Sequence, residues 1–314
     1  MDVFMILVTG GCGFIGSHVC EALVERGEKI RVLDDLSAGK LENIEPVRGS
    51  VQFVNDDIRD PDALSAAMKG VSRVIHLAAL VTVFESVDRP ERTHGVNTTG
   101  AFNAVNAARK AGVKRIVFAS SCAVYGEGDG EPLREDRLPA PGSPYAASKL
   151  HGEHCVSVFA GLYGVSGVSL RFFNVYGPRQ DPSSPYSGVI SRFADDAFHG
   201  RAPQVFGDGL QSRDFVYVKD VAAAILAALD SKIVGRGEVI NVGTGVETSI
   251  LSLVKTLGEV SGKSITPVFA PPRAADVRRI CADISLARNL LGFTPRHTLK
   301  SGLENLWAHL CAAH

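Results

Sequence analysis

No C-x-x-C pair occurs among the six cysteines of this 314-residue chain, Cys12, Cys20, Cys122, Cys155, Cys281 and Cys311. Their irregular spacing forms no disulfide framework either, so reduced thiols are expected, and a cysteine metal site is not. There is no run of lysine and arginine: 33 basic residues balance 34 acidic ones for a net charge of −1. A basic nucleic-acid-binding face is thereby excluded. No apolar stretch is long enough to span a bilayer, and the opening 1–8 run is too short for a signal sequence. The expectation is a soluble cytoplasmic protein with neither membrane nor nucleic acid as partner. Internal repeats and low-complexity linkers are also missing. With 45% hydrophobic residues, the chain holds enough for one large core or two closely joined domains.

What is present is an alternation. Phe4–Val8 is an apolar run of strand length, followed by the turn Thr9-Gly10-Gly11-Cys12-Gly13-Phe14-Ile15-Gly16 and an amphipathic helix over about 17–25. Further strands are expected at 29–34, 51–54, 74–77, 115–119 and 169–171, separated by helical patterns at 61–69, 91–111 and 145–162. Strands apolar throughout and joined by helices predict an α/β fold with a doubly wound parallel sheet, covered on both faces.

Two stretches carry chemistry. The glycines fit either G-x-G-x-x-G from Gly11 or G-x-x-G-x-x-G from Gly10, Gly13 and Gly16. In both registers small residues permit close backbone approach, and the following helix N-terminus offers free N–H groups to a pyrophosphate. Asp34, ending the second strand, suits a ribose hydroxyl and would repel a 2′-phosphate, which favours NAD over NADP. The second stretch is Ser143-Pro144-Tyr145-Ala146-Ala147-Ser148-Lys149. Tyr145 and Lys149 are four residues apart, on one face of a helix. An ammonium there would stabilise a phenolate and bring the tyrosine pKa toward neutrality, making a general base. Alone, the pair reads more readily as a surface tyrosine with a snorkelling lysine.

These stretches, with Asp57-Ile58, His76-Leu77-Ala78-Ala79, Asn97 and Ser120-Ser121-Cys122-Ala123-Val124-Tyr125-Gly126, occur in an order that resembles the extended short-chain dehydrogenase/reductases. Within these the chain is most similar to the NAD-dependent nucleotide-sugar epimerases and dehydratases. The resemblance implies an NAD-binding Rossmann domain over 1–171 and a smaller mixed α/β nucleotide-sugar domain over 172–314, some of whose segments return to the first sheet. Beyond Gly10, Gly13, Phe14, Ile15, Gly16 and Asp34, it implies cofactor contacts at Asp35, Leu36, Ser37, Gly39, Asp57, Ile58, Leu77, Ala78, Ala79, Asn97, Tyr145, Lys149 and Phe173. The implied catalytic group is Ser121, Tyr145 and Lys149, with Cys122 a packing residue.

By the same resemblance a UDP-sugar would lie against Ser121, Tyr145, Asn174, Val189, Ile190, Gln204 and Phe206. Arg213 and Arg273 would clamp its pyrophosphate and Asp276 its ribose. As single residues, these arginines read equally as members of surface ion pairs. Dehydratases of the group carry an acid pair directly after the active-site hydroxyl residue; Cys122 and Ala123 occupy those positions here. What remains is 4-epimerisation, with another epimerase or reductase, or a non-catalytic NAD sensor, as alternatives. Ile280 and Val81 stand where the glucose-restricted enzymes carry Tyr and Lys, which implies room for N-acetyl sugars. A homodimer paired through the two long helices is also implied, and no metal.

Overall fold

The computed structural model describes residues 5–128, 130–183, 188–272 and 277–313. In chain order the strands are β1 (Met5–Thr9), β2 (Lys29–Leu33), β3 (Val51–Val54), β4 (Val71–His76), β5 (Arg115–Ser121), β6 (Ser166–Phe172), β7 (Asn174–Tyr176), β8 (Gln204–Phe206), β9 (Ser212–Tyr217), β10 (Arg236–Val242), β11 (Glu247–Ser249) and β12 (Val268–Ala270). Seven of them form one parallel sheet in the order β10-β6-β5-β4-β1-β2-β3. The order reverses beside β1, so the glycine turn that follows β1 opens at the switch point, where doubly wound sheets place their ligands. The expected fold class is the one observed.

Helices cover both faces because the strand residues are apolar on both. Helices Phe14–Glu25 and Val218–Asp230 share a core with Ile6, Val8, Val117 and Ile240. On the other face, helices Pro61–Ala67, Gly100–Lys110 and Pro144–Tyr163 bury Leu7, Val74, Ile116 and Phe118. The helix carrying Tyr145 has a well-defined start: Ser143 caps it, its Oγ accepting from the Ala146 N–H at 3.1 Å, and Pro144 holds the first position. It ends at Gly164 in the left-handed conformation.

A second core lies under helices Val189–Phe198, Ile250–Ser261 and Leu299–Ala313, around Tyr176, Phe193, Val205, Tyr217 and Leu253. The sheet of β11, β9 and β7 is mixed, with β9 antiparallel to β11 and parallel to β7; β8 and β12 form a parallel pair. The chain does not divide cleanly at 171, since β10 and helix Val218–Asp230 return to the large sheet. Helix Phe14–Glu25 begins three residues before the expected start, because Gly13 serves as its N-cap. The 3₁₀ segment Leu41–Ser50 has no counterpart among the expected elements; Pro46 within it breaks any helical pattern readable from sequence. Among the described residues no helix is long and apolar enough to cross a membrane, and no group of three His, Cys, Asp or Glu is placed to hold a metal ion.

One buried arginine ties the large sheet to the returning helix. Arg115, at the start of β5, donates to the carbonyl oxygens of Ala228 at 2.7 Å, Ser231 at 2.6 Å and Val234 at 2.5 Å. These close the C-terminal end of helix Val218–Asp230, where a cation also complements the helix dipole. Arg115→Met strands three carbonyls and should cost about 2–5 kcal/mol, read as a lower urea midpoint with unchanged slope. A midpoint within error of the parent would contradict this role.

Candidate active site

At the end of β1 the chain turns through Gly10, whose φ of +72° suits glycine. A Cβ there would approach the Ala78 N at 2.7 Å, and one at Gly16 would collide with the Gly10 carbonyl oxygen. The turn therefore packs directly against both β4's C-terminal loop and the first helical residues. Helix Phe14–Glu25 has no side-chain cap and no acidic residue in its first turn. Its N-terminal dipole and N–H groups are thus left to an anion.

Beside this turn Asp34 is buried; it accepts from the N–H groups of Cys12 at 2.9 Å and Leu36 at 3.0 Å. Burial holds its carboxyl above the usual carboxylate range, and those two N–H donors work against the shift. Gly39 closes over it, where a Cβ would approach the Asp34 Oδ1 at 2.9 Å. Further along, Asp57 is drawn below its ordinary pKa by Arg59, whose Nε donates at 2.8 Å.

A cleft of about 1390 Å³ runs from these residues to the end of β5 and is lined by both parts of the chain. Every expected dinucleotide residue lines it except Leu36 and Asn97. Leu36, at φ +58°, turns its side chain into the core beneath β2. Asn97 acts from behind: its amide accepts from the Leu80 N–H at 2.8 Å and donates to the Leu80 carbonyl at 2.8 Å and the Ser148 Oγ at 3.1 Å. It fixes the loop after β4 to the tyrosine helix and is a buttress, not a lining residue.

Ser121, Tyr145 and Lys149 meet at the far end of the cleft. Ser121 ends β5; its Oγ accepts from the Ala123 N–H at 3.2 Å and is hydrogen-bonded with the Tyr145 phenol. The Lys149 Nζ donates to the Ala119 carbonyl at 2.8 Å and lies 5.9 Å from the Tyr145 ring centroid. This arrangement corrects the sequence expectation for the phenol. Burial pushes Tyr145 up to about 12, the Ser121 hydrogen bond opposes that, and nearby Cys122 adds to it. Lys149 is turned to a backbone carbonyl and does not draw the phenol toward neutrality. The ammonium itself is lowered by burial to about 8, with Glu153 opposing. Burial keeps the Cys122 thiol protonated, at about 12, as a packing residue would be.

Among the expected substrate residues, Ser121, Tyr145 and Asn174 line the cleft; Asn174 Oδ1 is buried without a hydrogen-bond partner there. Val189, Ile190, Gln204, Phe206 and Arg213 do not line it. Val189 and Ile190 pack into the second core, and Gln204 is exposed on β8 with Phe206 half-buried at that strand's other end. Arg213 donates to the carbonyls of Ser212 at 2.8 Å and Val277 at 2.6 Å. Arg273 and Asp276 lie outside the described residues. Ile280 packs against the cluster that includes Tyr125 and Phe173, and Val81 lines the cleft.

No motif in the sequence marks His18, Arg179, Glu153 or Arg171, and Ser120 stands in the 120–126 motif with no role assigned to it. Arg179 bridges the two parts, donating to Glu21 Oε2 at 2.6 Å and the Asn43 carbonyl at 2.6 Å, with His18 Nδ1 2.9 Å away. Glu153 had one legible signal, its place one turn beyond Lys149 on the same helix face.

The phenol's position yields a direct measurement. The ultraviolet difference titration of wild type against Tyr145→Phe, without added dinucleotide, should show that tyrosine ionising above pH 10. A midpoint near 7 would restore the expectation read from sequence.

A family model described as Epimerase, the NAD dependent epimerase/dehydratase family, matches residues 6–243. The UDP-glucose 4-epimerase of Mycolicibacterium smegmatis is 40% identical over 301 residues, covering 95% of each chain. The solved UDP-N-acetylglucosamine 4-epimerase of Methanobrevibacter ruminantium M1, in complex with UDP-N-acetylmuramic acid, superposes with a TM-score of 0.94 at 36% identity and full coverage of both chains. The Thermus thermophilus UDP-glucose 4-epimerase in complex with NAD gives 0.91 at 38% identity, covering 99% of this chain and 100% of that one.

Proposed function

The chain belongs to the NAD dependent epimerase/dehydratase family, and from that premise we propose that it inverts the C4 hydroxyl of a UDP-hexose with NAD as resident cofactor. The observation that carries this reading is the meeting of Ser121, Tyr145 and Lys149 at one end of a cleft whose other end holds the uncapped helix N-terminus and Asp34. The glycine turn fits a dinucleotide because it lines the cleft and opens a helix whose first turn has neither a side-chain cap nor an acidic residue to compete with a pyrophosphate. NAD would supply a reversible hydride acceptor. Asp34, with a buried carboxyl and no neighbouring cation among its hydrogen-bond partners, favours a ribose hydroxyl over a 2′-phosphate.

Tyr145 takes the proton of the C4 hydroxyl as the C4 hydrogen leaves, and gives it back to the same oxygen once the sugar has turned over; the inversion itself is the return of the C4 hydrogen to the opposite face of the carbon. Ser121 donates to the sugar oxygen as charge develops. Lys149 would hold the nicotinamide ribose, and the positive charge of the bound cofactor would add what the phenolate needs. The sequence after Ser121, Cys122-Ala123, provides no second acid for elimination at a neighbouring carbon. Asn174, with its free buried oxygen, offers an acceptor to the nucleotide sugar. Binding of the non-reacting nucleotide part would provide the positioning while the sugar turns over. With Val81 at the cleft and Ile280 on the adjoining core, the proposal covers both the glucose/galactose pair and their N-acetyl counterparts.

Incubation with UDP-glucose and UDP-N-acetylglucosamine, followed by proton NMR, should give the galacto isomer of each, and Tyr145→Phe should lose at least about 10²-fold in kcat. Wild-type protein inert on every UDP-hexose would refute the assignment.

The outer face of helices Gly100–Lys110 and Pro144–Tyr163 exposes Phe102, Val158, Leu162 and Tyr163. We assign this apolar face to a second copy of the chain, paired helix to helix. Sedimentation should show a dimer at micromolar concentration, dissociated by Leu162→Glu; a monomeric parent would contradict the pairing.

A further inference from the structure

Beneath the catalytic residues lies a pair of charges with no place in the chemistry so far. Glu153 and Arg171 are 2% and 3% exposed. They form a two-pronged ion pair, Arg171 Nε to Glu153 Oε1 at 2.8 Å and Nη2 to Oε2 at 2.7 Å. Burying such a pair costs desolvation that its attraction barely offsets, so the pair contributes little to stability compared with apolar residues of equal size. Its location offers another reason. Glu153 is on the helix of Tyr145 and Lys149, one turn past Lys149, so the three share a face. Its Oε1 also accepts from the Ser120 Oγ at 2.5 Å, and Ser120 directly precedes Ser121 on β5. Arg171, from β6, in turn lies 4.5 Å over the Tyr125 ring, and Tyr125 donates to Asn241 Oδ1 of β10 at 2.7 Å.

We propose that Glu153 is a positioning residue of the active site: its carboxylate, anchored by Arg171, locks the strand bearing Ser121 to the helix bearing Tyr145 and sets a fixed negative charge one helical turn behind Lys149. The inference rests on the reaction proposed above for the roles of those three residues. The groups facing this cluster from every packed element fit it. From β4, His76 is buried and lowered to about 3, hence neutral, with its Nδ1 2.7 Å from the Thr9 Oγ1 of β1. From the turn after β5, Cys122 and Tyr125 are both raised by burial to about 12 and are neutral. Arg171 is engaged by Glu153. Glu135, which accepts from the Asn241 N–H at 2.8 Å, lies beyond the Tyr125–Asn241 pair. Glu153 is then the carboxylate that opposes the burial of Lys149. Without it, an amine enclosed by Phe118 and a backbone carbonyl would lose its proton within the working pH range.

The test reads Lys149 directly. With ¹³Cε-labelled lysine, the Lys149 resonance of the dinucleotide-free protein, assigned by its loss in Lys149→Arg, should titrate near 8. In Glu153→Gln, which keeps an acceptor for Ser120, that midpoint should fall by about one unit or more. Both limbs of the pH profile for epimerisation should move to lower pH with it, since each proton leaves more readily once the nearby negative charge is gone. An unmoved midpoint overturns the electrostatic role. Should Glu153→Gln unfold because Arg171 is left unpaired, the double variant Glu153→Gln/Arg171→Met removes both charges and should show a fall in the same direction but smaller, since the lost Arg171 cation partly offsets the lost carboxylate; a midpoint unmoved or raised overturns the proposal equally. Ser120→Ala cuts the tie to β5 and leaves the charge in place. It should lower kcat several-fold with KM and the Lys149 midpoint unchanged, and an unaltered kcat overturns the locking role. A shifted midpoint in protein inert on all UDP-hexoses would instead reject the assigned reaction and leave the Glu153–Lys149 coupling standing.

Discussion

Backbone packed on backbone without an intervening side chain is the constraint on which the rest of the molecule depends. Between Gly10, Gly16 and Ala78 there is no volume for a single Cβ. That closeness brings the N-terminus of helix Phe14–Glu25 to the end of β1, at the point where strand order reverses. The uncapped helix end, the buried Asp34 and the loop after β4 are then fixed around one opening. Loss of this approach would separate the three without touching any chemical group among them.

The opposite end of the cleft depends on charge, not on volume. Tyr145 and Lys149 are both almost inaccessible, and burial drives the phenol up and the ammonium down. Each shift opposes the ionised pair that proton transfer needs. A phenolate at this position needs further positive charge nearby, such as a bound cofactor would supply. The ion pair of Glu153 and Arg171 beneath it then acts as the fixed part of the electrostatics, set before any ligand arrives.

Much of this was legible in the sequence, for physical reasons. Strands covered on both faces are apolar throughout, so the parallel sheet shows as uninterrupted runs such as Met5–Val8 and Ile116–Ala119. The glycine turn and the Tyr145–Lys149 spacing are local, and local spacing survives without a structure. The remainder was hidden because it is long-range. That Ser120 and Arg171 converge on Glu153 follows from β5 and β6 being neighbours under one helix, a relation that no window of sequence contains. Strand β10 joins the large sheet from the far side of the second core for the same kind of reason. The phenol pKa escapes the sequence because spacing places Lys149 beside Tyr145, while the contact between Lys149 and the Ala119 carbonyl turns the ammonium elsewhere. Asn97 reads as a site residue and acts as a buttress, since a helix position alone does not say which layer it faces.

The central claim is that the inverted carbon loses and regains its own hydrogen inside the cleft, with Tyr145 handling only the hydroxyl proton. Running the conversion of UDP-galactose to UDP-glucose to equilibrium in D₂O and examining C4 by NMR tests this most directly. The account predicts that the product carries protium at C4, with no deuterium entering from solvent. Deuterium at C4 would mean that a base in the site removes a carbon-bound proton, and the roles assigned to Tyr145, Ser121 and Lys149 would be wrong.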